Sequence, residues 1–128
     1  MKVWDLHCDT LSELRRAEKN GTPASFAHND LHIDLEKLQA GDYMLQCLAA
    51  FVNLADPTPG ADPLVTALEE IDVFKRIMAK YPDRIAPVYT AADIRKNAEA
   101  RPGGAGPAVQ RGRGERFPHL VAGRRHRP

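Results

Sequence analysis

The order of apolar and polar residues at the start of the chain predicts a strand followed directly by a helix. The opening run is largely apolar, with Met1, Val3, Trp4 and Leu6, and is predicted to form a strand that ends near Cys8. From Thr10 to Asn20 the apolar residues follow helical spacing, Thr10 is predicted to cap the first turn, and Gly21 stands where a helix commonly ends. The start of the chain is therefore predicted to form one strand-helix unit.

The same alternation continues along the chain. Leu35–Gly41 is predicted to form a short helix capped by Asp34, and the nearly continuous apolar run Tyr43–Leu54 is typical of a strand buried on both faces. Asp62 and Pro63 then open the clearest helix. Its inward stripe is predicted to comprise Leu64, Leu68, Ile71, Phe74, Ile77, Met78 and Tyr81.

A third unit completes the pattern. Arg84–Tyr89 reads as a strand, and Thr90 and Asp93 are predicted to begin a helix that runs to about Ala100. Strand and helix alternating three times is the order of an α/β fold with a parallel sheet, either a barrel or a doubly wound sheet.

The first predicted strand carries candidate metal ligands at its end. Side chains two apart on a strand share a face, so Asp5, His7 and Asp9 are expected to point one way and Leu6 and Cys8 the other. An imidazole and a carboxylate both bind Zn²⁺, so His7 and Asp9 are candidate ligands, with Asp5 expected to hydrogen-bond the other ring nitrogen of His7. A solvated strand end explains the spacing equally well.

Three other polar or reactive residues lie on predicted strands. Cys8 faces away from the candidate ligands and is predicted to be a small core residue rather than a nucleophile. Gln46 and Asn53 are predicted on the second strand, where each could line the mouth of a barrel or be a hydrogen-bonded polar residue of the core. The sequence leaves both alternatives open.

Composition changes abruptly near Ala100. The formal net charge of +1 hides a segment, Arg101–Pro128, with seven arginines, no lysine and one acid, Glu115. The preceding residues hold eleven basic and sixteen acidic side chains. We therefore expect two parts, residues 1–100 forming the α/β unit and residues 101–128 a basic tail.

Two cysteines without metal-ligand spacing, Cys8 and Cys47, indicate neither a disulfide framework nor a zinc ribbon. The chain passes from Met1 directly into a strand that contains Asp5, and no apolar run is long enough to cross a bilayer. We expect a cytoplasmic protein without a membrane segment.

Several segments in order resemble one known family. They are Asp5–Thr10 (DLHCDT), Asn29–Gly41 (NDLHIDLEKLQAG), Gln46 and Ala92–Ala100 (ADIRKNAEA). Together they resemble the N-terminal part of the membrane dipeptidase (renal dipeptidase-like) zinc metallopeptidases, from about Lys2 to Ala100.

The resemblance implies the first three strand-helix units of a (β/α)8 TIM-type barrel that carries two zinc ions and hydrolyses dipeptides through a metal-bridging hydroxide. His7 and Asp9 match the family's first-strand ligands, and Asp5 matches the acid that precedes them. The family completes its site with a bridging glutamate, later histidines and an aspartate, none of which has a matching position here. The resemblance also implies a homodimer for intact members.

In the family, Ala100 would be followed by a glycine, an apolar strand and Glu-Glu-Gly. This chain continues with Arg101–Pro107, whose glycines and prolines do not suit a buried strand. We therefore expect residues 101–128 to be a disordered tail read out of frame, and the chain to be an inactive fragment of a dipeptidase. The alternative is a non-enzymatic protein whose Arg111–Gly114 segment (RGRG) binds single-stranded nucleic acid, but only Phe117 interleaves the arginines, which favours a solvated tail.

Overall fold

The computed structural model describes residues 2–53, 62–99 and 108–110. These residues form a mixed α/β arrangement in which strands and helices largely alternate, as the sequence predicts. In chain order the elements are β1 (Val3–Cys8), α1 (Thr10–Lys19), α2 (Leu35–Ala40), β2 (Tyr43–Leu48), α3 (Pro63–Lys80), β3 (Ala86–Val88), α4 (Ala91–Glu99) and β4 (Ala108–Gln110).

Within the described residues, the four strands form one parallel sheet in the order β1-β2-β4-β3. Asp5 pairs with Gln46 and Cys8 with Leu48 in the register between β1 and β2. Parallel strands joined through helices are the arrangement expected of part of a TIM-type barrel.

The end of the sheet differs from the sequence-based expectation. β3 lies at the edge, and β4 stands between it and β2, so the third predicted strand is not the neighbour of the second. Residues 108–110 of the predicted tail form β4, whose backbone groups pair with β2 on one side and with β3 on the other. The rest of the predicted tail, 101–107 and 111–128, lies outside the described residues.

The predicted helix boundaries are close to those observed, but the cap of α1 differs. Asp9, not Thr10, occupies the N-cap position of α1, and its side chain makes no capping hydrogen bond. Thr10 is the first helical residue and is buried, so its hydroxyl is not placed to cap the turn. At the other end Gly21 has a φ of 71°, the left-handed conformation that glycine adopts without strain.

The other predicted caps are present. The carboxylate of Asp34 accepts from the main-chain N–H of Lys37 at the start of α2, and Asp62 accepts from Leu64 and Val65 at the start of α3. At α4, the main-chain N–H of Asp93 donates to the hydroxyl of Thr90 while the carboxylate of Asp93 accepts from the N–H of Thr90. Reciprocal bonds of this kind form a capping box.

The buried face of α3 differs from the predicted stripe. Leu64 and Leu68 are about half exposed, so their assignment to the core is wrong. Successive helical residues turn by about 100°, and Leu68 therefore points away from the stripe that contains its neighbour Ala67. The residues of α3 that are buried are Ala67, Glu70, Ile71, Val73, Phe74 and Ile77.

The main hydrophobic core lies between the sheet and the first three helices. It consists of Cys8, Leu11, Leu14, Phe26, Ile33, Leu35, Leu38, Leu48, Val73, Phe74, Ile77 and Ile85. A smaller cluster joins Leu45 of β2 to Val88 of β3, with Ile94 of α4 packed against them. No helix among the described residues is long and apolar enough to cross a membrane.

The second strand is shorter than predicted. β2 ends at Leu48, and the described residues that follow, as far as Asn53, are irregular; Leu54 lies outside the described residues. The main-chain N–H of Ala49 donates to the carbonyl of Cys8 at 3.0 Å. This bond keeps the chain beside the end of β1 and brings Phe51 close to the candidate ligands.

Candidate functional site

The two candidate ligands meet at the carboxyl end of β1. His7 lies near the end of the strand and Asp9 lies between the strand and α1, with Nε2 of His7 3.1 Å from Oδ1 of Asp9. Both side chains are about half exposed. The spacing of one residue predicted this pairing, and the Asp9 carboxylate is available for it because the carboxylate does not cap α1.

Asp5 supports the same strand end in a different way from that expected. Its Oδ1 accepts a hydrogen bond from the main-chain N–H of His7 at 3.2 Å, rather than from the imidazole ring. Asp5 therefore fixes the main chain of β1 at His7, while Asp9 contacts the His7 imidazole.

An aromatic ring from the segment after β2 lies against His7. The ring of Phe51 lies edge-on to the imidazole, with centroids 6.5 Å apart and planes at 81°. Edge-to-face contacts of this kind are favourable and direct the orientation of both rings. Phe51 thus limits the positions open to the imidazole while leaving Nε2 on the side of Asp9.

The main chain of Phe51 is held by two other side chains. Its carbonyl accepts a hydrogen bond from Oγ of Ser12 at 3.2 Å, and its N–H donates to the carboxyl group of Glu70 on α3. Ser12 also hydrogen-bonds Glu70. The hydroxyl of Ser12 therefore contacts both the Phe51 carbonyl and the Glu70 carboxyl group.

Glu70 is the buried titratable group of this region. Its side chain is 1% exposed, and within the described part of the chain its Oε2 has no hydrogen-bond partner. Burial raises the pKa of Glu70 to about 7, an effect opposed by the bond to Ser12 and the charge of Arg15 and increased by the charge of Asp9. Sequence analysis missed this residue, although it shares the helical stripe of Ala67 and Phe74.

Ion pairs join α1 and α3 near Glu70. Glu69 of α3 accepts from Arg15 at 2.7 Å and from Lys19 at 2.6 Å. Further along α3, Arg76 donates two hydrogen bonds of 2.8 Å to the carboxylate of Glu18 on α1. A cleft of about 360 Å³ between the two helices is lined by residues that include Asp9, Ser12, Phe51 and Glu70.

The remaining sequence candidates differ in their burial. Gln46 is fully buried beside Asp5; its amide nitrogen donates to the carbonyl of Cys47, and its Oε1 has no partner among the described residues. Asn53 is exposed and lines the cleft between α1 and α3. Cys8 is buried in the main core, as predicted for a structural residue.

His7 and Asp9 offer two donor atoms of the kinds that bind zinc. A neutral imidazole nitrogen and a carboxylate oxygen are both common zinc ligands, and the short separation of Nε2 and Oδ1 allows one ion to contact both. Across residues 2–53, 62–99 and 108–110, no group of three or more histidine, cysteine, aspartate or glutamate side chains could hold a metal ion. His7 and Asp9 therefore supply two of the four donors that a tetrahedral zinc site needs.

The comparison with protein families agrees with the segments identified in the sequence. The family model described as membrane dipeptidase, peptidase family M19, matches residues 1–103. Among curated proteins, none matches the chain. The matched range covers every described element from β1 to α4, including the strand end that carries His7 and Asp9. This chain therefore belongs to the membrane dipeptidase family of peptidases.

Proposed function

We propose that this chain contributes the first-strand ligands, His7 and Asp9, to a zinc-dependent dipeptidase site. The observation that supports the proposal is the 3.1 Å separation of His7 Nε2 from Asp9 Oδ1 at the carboxyl end of a parallel strand. Catalytic groups of parallel α/β barrels lie at that end of the strands. Family membership indicates the activity, hydrolysis of a dipeptide.

The residues around the pair prepare it for a metal. Asp5 holds the main chain of His7, Phe51 restricts the imidazole ring, and the carboxylate of Asp9 is directed at His7 rather than at the start of α1. Fixing ligands on rigid elements before a metal arrives reduces the conformational entropy lost on binding. When bound, zinc supplies Lewis acidity that lowers the pKa of water and polarises a peptide carbonyl.

Two donors leave a tetrahedral zinc site to be completed by other groups. We therefore expect the 128-residue chain to bind zinc weakly and to hydrolyse dipeptides poorly, with residues 1–100 acting as the first part of a larger catalytic unit. Residues 101–128 form the second part of our proposed organisation, an out-of-frame basic tail. Sequencing the gene through the codons around Ala100 tests that division, since a one-base correction should open a frame that continues the family pattern.

The activity is tested by grafting. An active family dipeptidase whose own N-terminal part is replaced by residues 1–100 of this chain should retain zinc-dependent hydrolysis of a dipeptide. His7→Ala and Asp9→Asn in that graft should each lower kcat/KM by more than about 100-fold, because changes in groups that merely support ligands already cost 10- to 100-fold.

A matched control uses a histidine outside the site. His28 is exposed and pairs with Glu36 at 2.9 Å, so His28→Ala in the same graft should leave kcat/KM within about twofold of the unsubstituted graft. A folded graft that keeps full activity after His7→Ala, or that loses as much activity after His28→Ala, contradicts the proposed ligand role.

A further inference from the structure

We propose that Glu70 is a positioning residue, which holds the main chain of Phe51 so that the Phe51 ring fixes the orientation of the metal-ligand candidate His7. This inference rests on the proposed function for the identity of His7 as a ligand. The contacts that carry it belong to Glu70, Ser12, Phe51 and His7, which lie on α3, α1, the segment after β2, and β1.

The carboxyl group of Glu70 is buried on α3 and holds the main chain of Phe51. The side chain is 1% exposed on a helix face that otherwise consists of apolar residues. Burying a carboxyl group costs free energy unless the surroundings give it hydrogen bonds. Its hydrogen bonds are with the hydroxyl of Ser12 and the N–H of Phe51. A carboxyl group at position 70 therefore restrains the segment after β2, which an apolar side chain could not do by hydrogen bonding.

The main chain of Phe51 is restrained by side chains of α1 and α3. Its N–H donates to Glu70, and its carbonyl accepts from Ser12 at 3.2 Å, so the peptide groups on both sides of the Phe51 Cα are fixed. After the bond from Ala49 to Cys8, residues 50–53 lie outside β2 and are assigned to no strand. Side chains of α1 and α3 therefore supply the restraint that the sheet does not.

The ring of Phe51 contacts the candidate metal ligand His7. The Phe51 ring meets the His7 imidazole edge-on at 6.5 Å, while Nε2 of His7 lies 3.1 Å from Asp9. The imidazole of His7 is about half exposed, so without the ring it would have more rotamers available. A carboxyl group on α3 thus influences a ligand on β1 through one loop residue.

The experiment compares two substitutions in the full chain. Glu70→Met fills a similar volume without a hydrogen-bond acceptor, whereas Glu70→Gln keeps an amide oxygen that can accept from Phe51. In the metal-free protein, Glu70→Met should accelerate hydrogen exchange at the Phe51 amide and remove the ring-current shifts that the Phe51 ring imposes on the His7 ring protons, as read by NMR. Glu70→Gln should restore both signals.

A zinc titration with a chromophoric competitor provides the second measurement. Glu70→Met should weaken zinc binding by about tenfold, the lower range for groups that support a ligand, and Glu70→Gln should stay within about twofold of the unsubstituted chain. Glu69→Met is the matched control, since Glu69 neighbours Glu70 but pairs with Arg15 and Lys19, and it should leave the His7 signals unchanged.

The outcomes separate this inference from the proposed function. If zinc fails to shift the His7 signals of the unsubstituted chain, the ligand role fails; the metal-free spectra still test the positioning. If Glu70→Met leaves the Phe51 amide and the His7 protons unchanged, or if Glu70→Gln loses as much as Glu70→Met, the inference is overturned. Should Glu70→Met unfold the chain, Glu70→Asp draws the carboxyl group back from the Phe51 N–H, and unchanged Phe51 and His7 signals in that variant overturn the inference equally.

Discussion

The ammonium group of Lys37 lies 2.7 Å from the carboxylate of Asp34, a side chain with no exposed surface. The same carboxylate accepts from the main-chain N–H groups of Lys37 and Asn29 at 2.8 and 3.1 Å. One aspartate therefore caps α2 and closes the loop that precedes it.

Removing this carboxylate should destabilise the fold. Burial alone would raise the pKa of Asp34, but its bonds from the Lys37 side chain and from the two main-chain N–H groups hold the pKa at about 2. Asp34→Asn should lower the free energy of unfolding at pH 7 by about 1–3 kcal/mol, because the buried bonds to a charged group are lost. Denaturant unfolding measures the change.

The same residue gives an acid dependence. The pKa of Asp34 is lower in the folded chain than its ordinary value of 3.8, so its contribution is complete above pH 4 and is lost as the pH falls towards 2. The loss should reach up to about 2 kcal/mol and be absent in Asp34→Asn. Asp30→Asn, an exposed aspartate of the same loop, is the control and should follow the unsubstituted chain.

Gly21 should be sensitive to substitution for a backbone reason alone. Its φ is 71°, while a Cβ added there would meet no atom within 4 Å. Gly21→Ala should therefore cost about 1 kcal/mol through conformational strain, and lower Tm by roughly 4 °C. Gly21→Asn should cost less, since asparagine tolerates the left-handed region. Equal Tm values for all three chains would show that the end of α1 relaxes freely.

These examples indicate why some features were predictable from the sequence. Caps such as Asp34 and Asp62 depend on residues two or three apart, and the His7–Asp9 pair depends on strand spacing, so local pattern determines them. The cap of α1 was mispredicted because Asp9 and Thr10 are both good N-cap residues and only the geometry of the junction distinguishes them.

Contacts between distant parts of the chain could not be read from pattern. The bond from Phe51 to Glu70 depends on how α3 lies against the segment after β2, and Asp5 reaches the main chain of His7 through a side-chain rotamer. The exposure of Leu64 and Leu68 likewise depends on which neighbours α3 meets. A carboxylate spaced four residues before Phe74 was nevertheless a visible signal for Glu70.

Both cysteines should be unreactive in the folded chain. Burial raises the pKa of Cys47 to about 11 and also raises that of Cys8. The thiolate is the reactive form, so modification by an aromatic disulfide at pH 8 should be at least about 100-fold slower than in denaturant. Rapid modification of Cys8, identified by mass spectrometry, would contradict its assignment to the core.

Glu70 should make stability fall as the pH rises through neutrality. Its pKa in the folded chain is about 7, above its ordinary value of 4.5, mainly because of burial. The folded state therefore favours the protonated form, so its contribution is complete below pH 4.5 and is lost as the pH passes 7. Relative to Glu70→Gln, which does not ionise, the unsubstituted chain should lose up to about 3 kcal/mol between pH 5 and pH 8.

Glu69→Gln provides the control for this pH dependence. Hydrogen bonds from Lys19 and Arg15 hold the pKa of Glu69 below 4.5, so Glu69 stays ionised throughout pH 5 to 8. The variant should therefore show the same decline with pH as the unsubstituted chain, displaced by a constant amount. If the stability of Glu70→Gln declines in parallel with that of these two chains, Glu70 does not ionise in this range. Its contacts with Ser12 and Phe51 then stabilise one protonation state throughout.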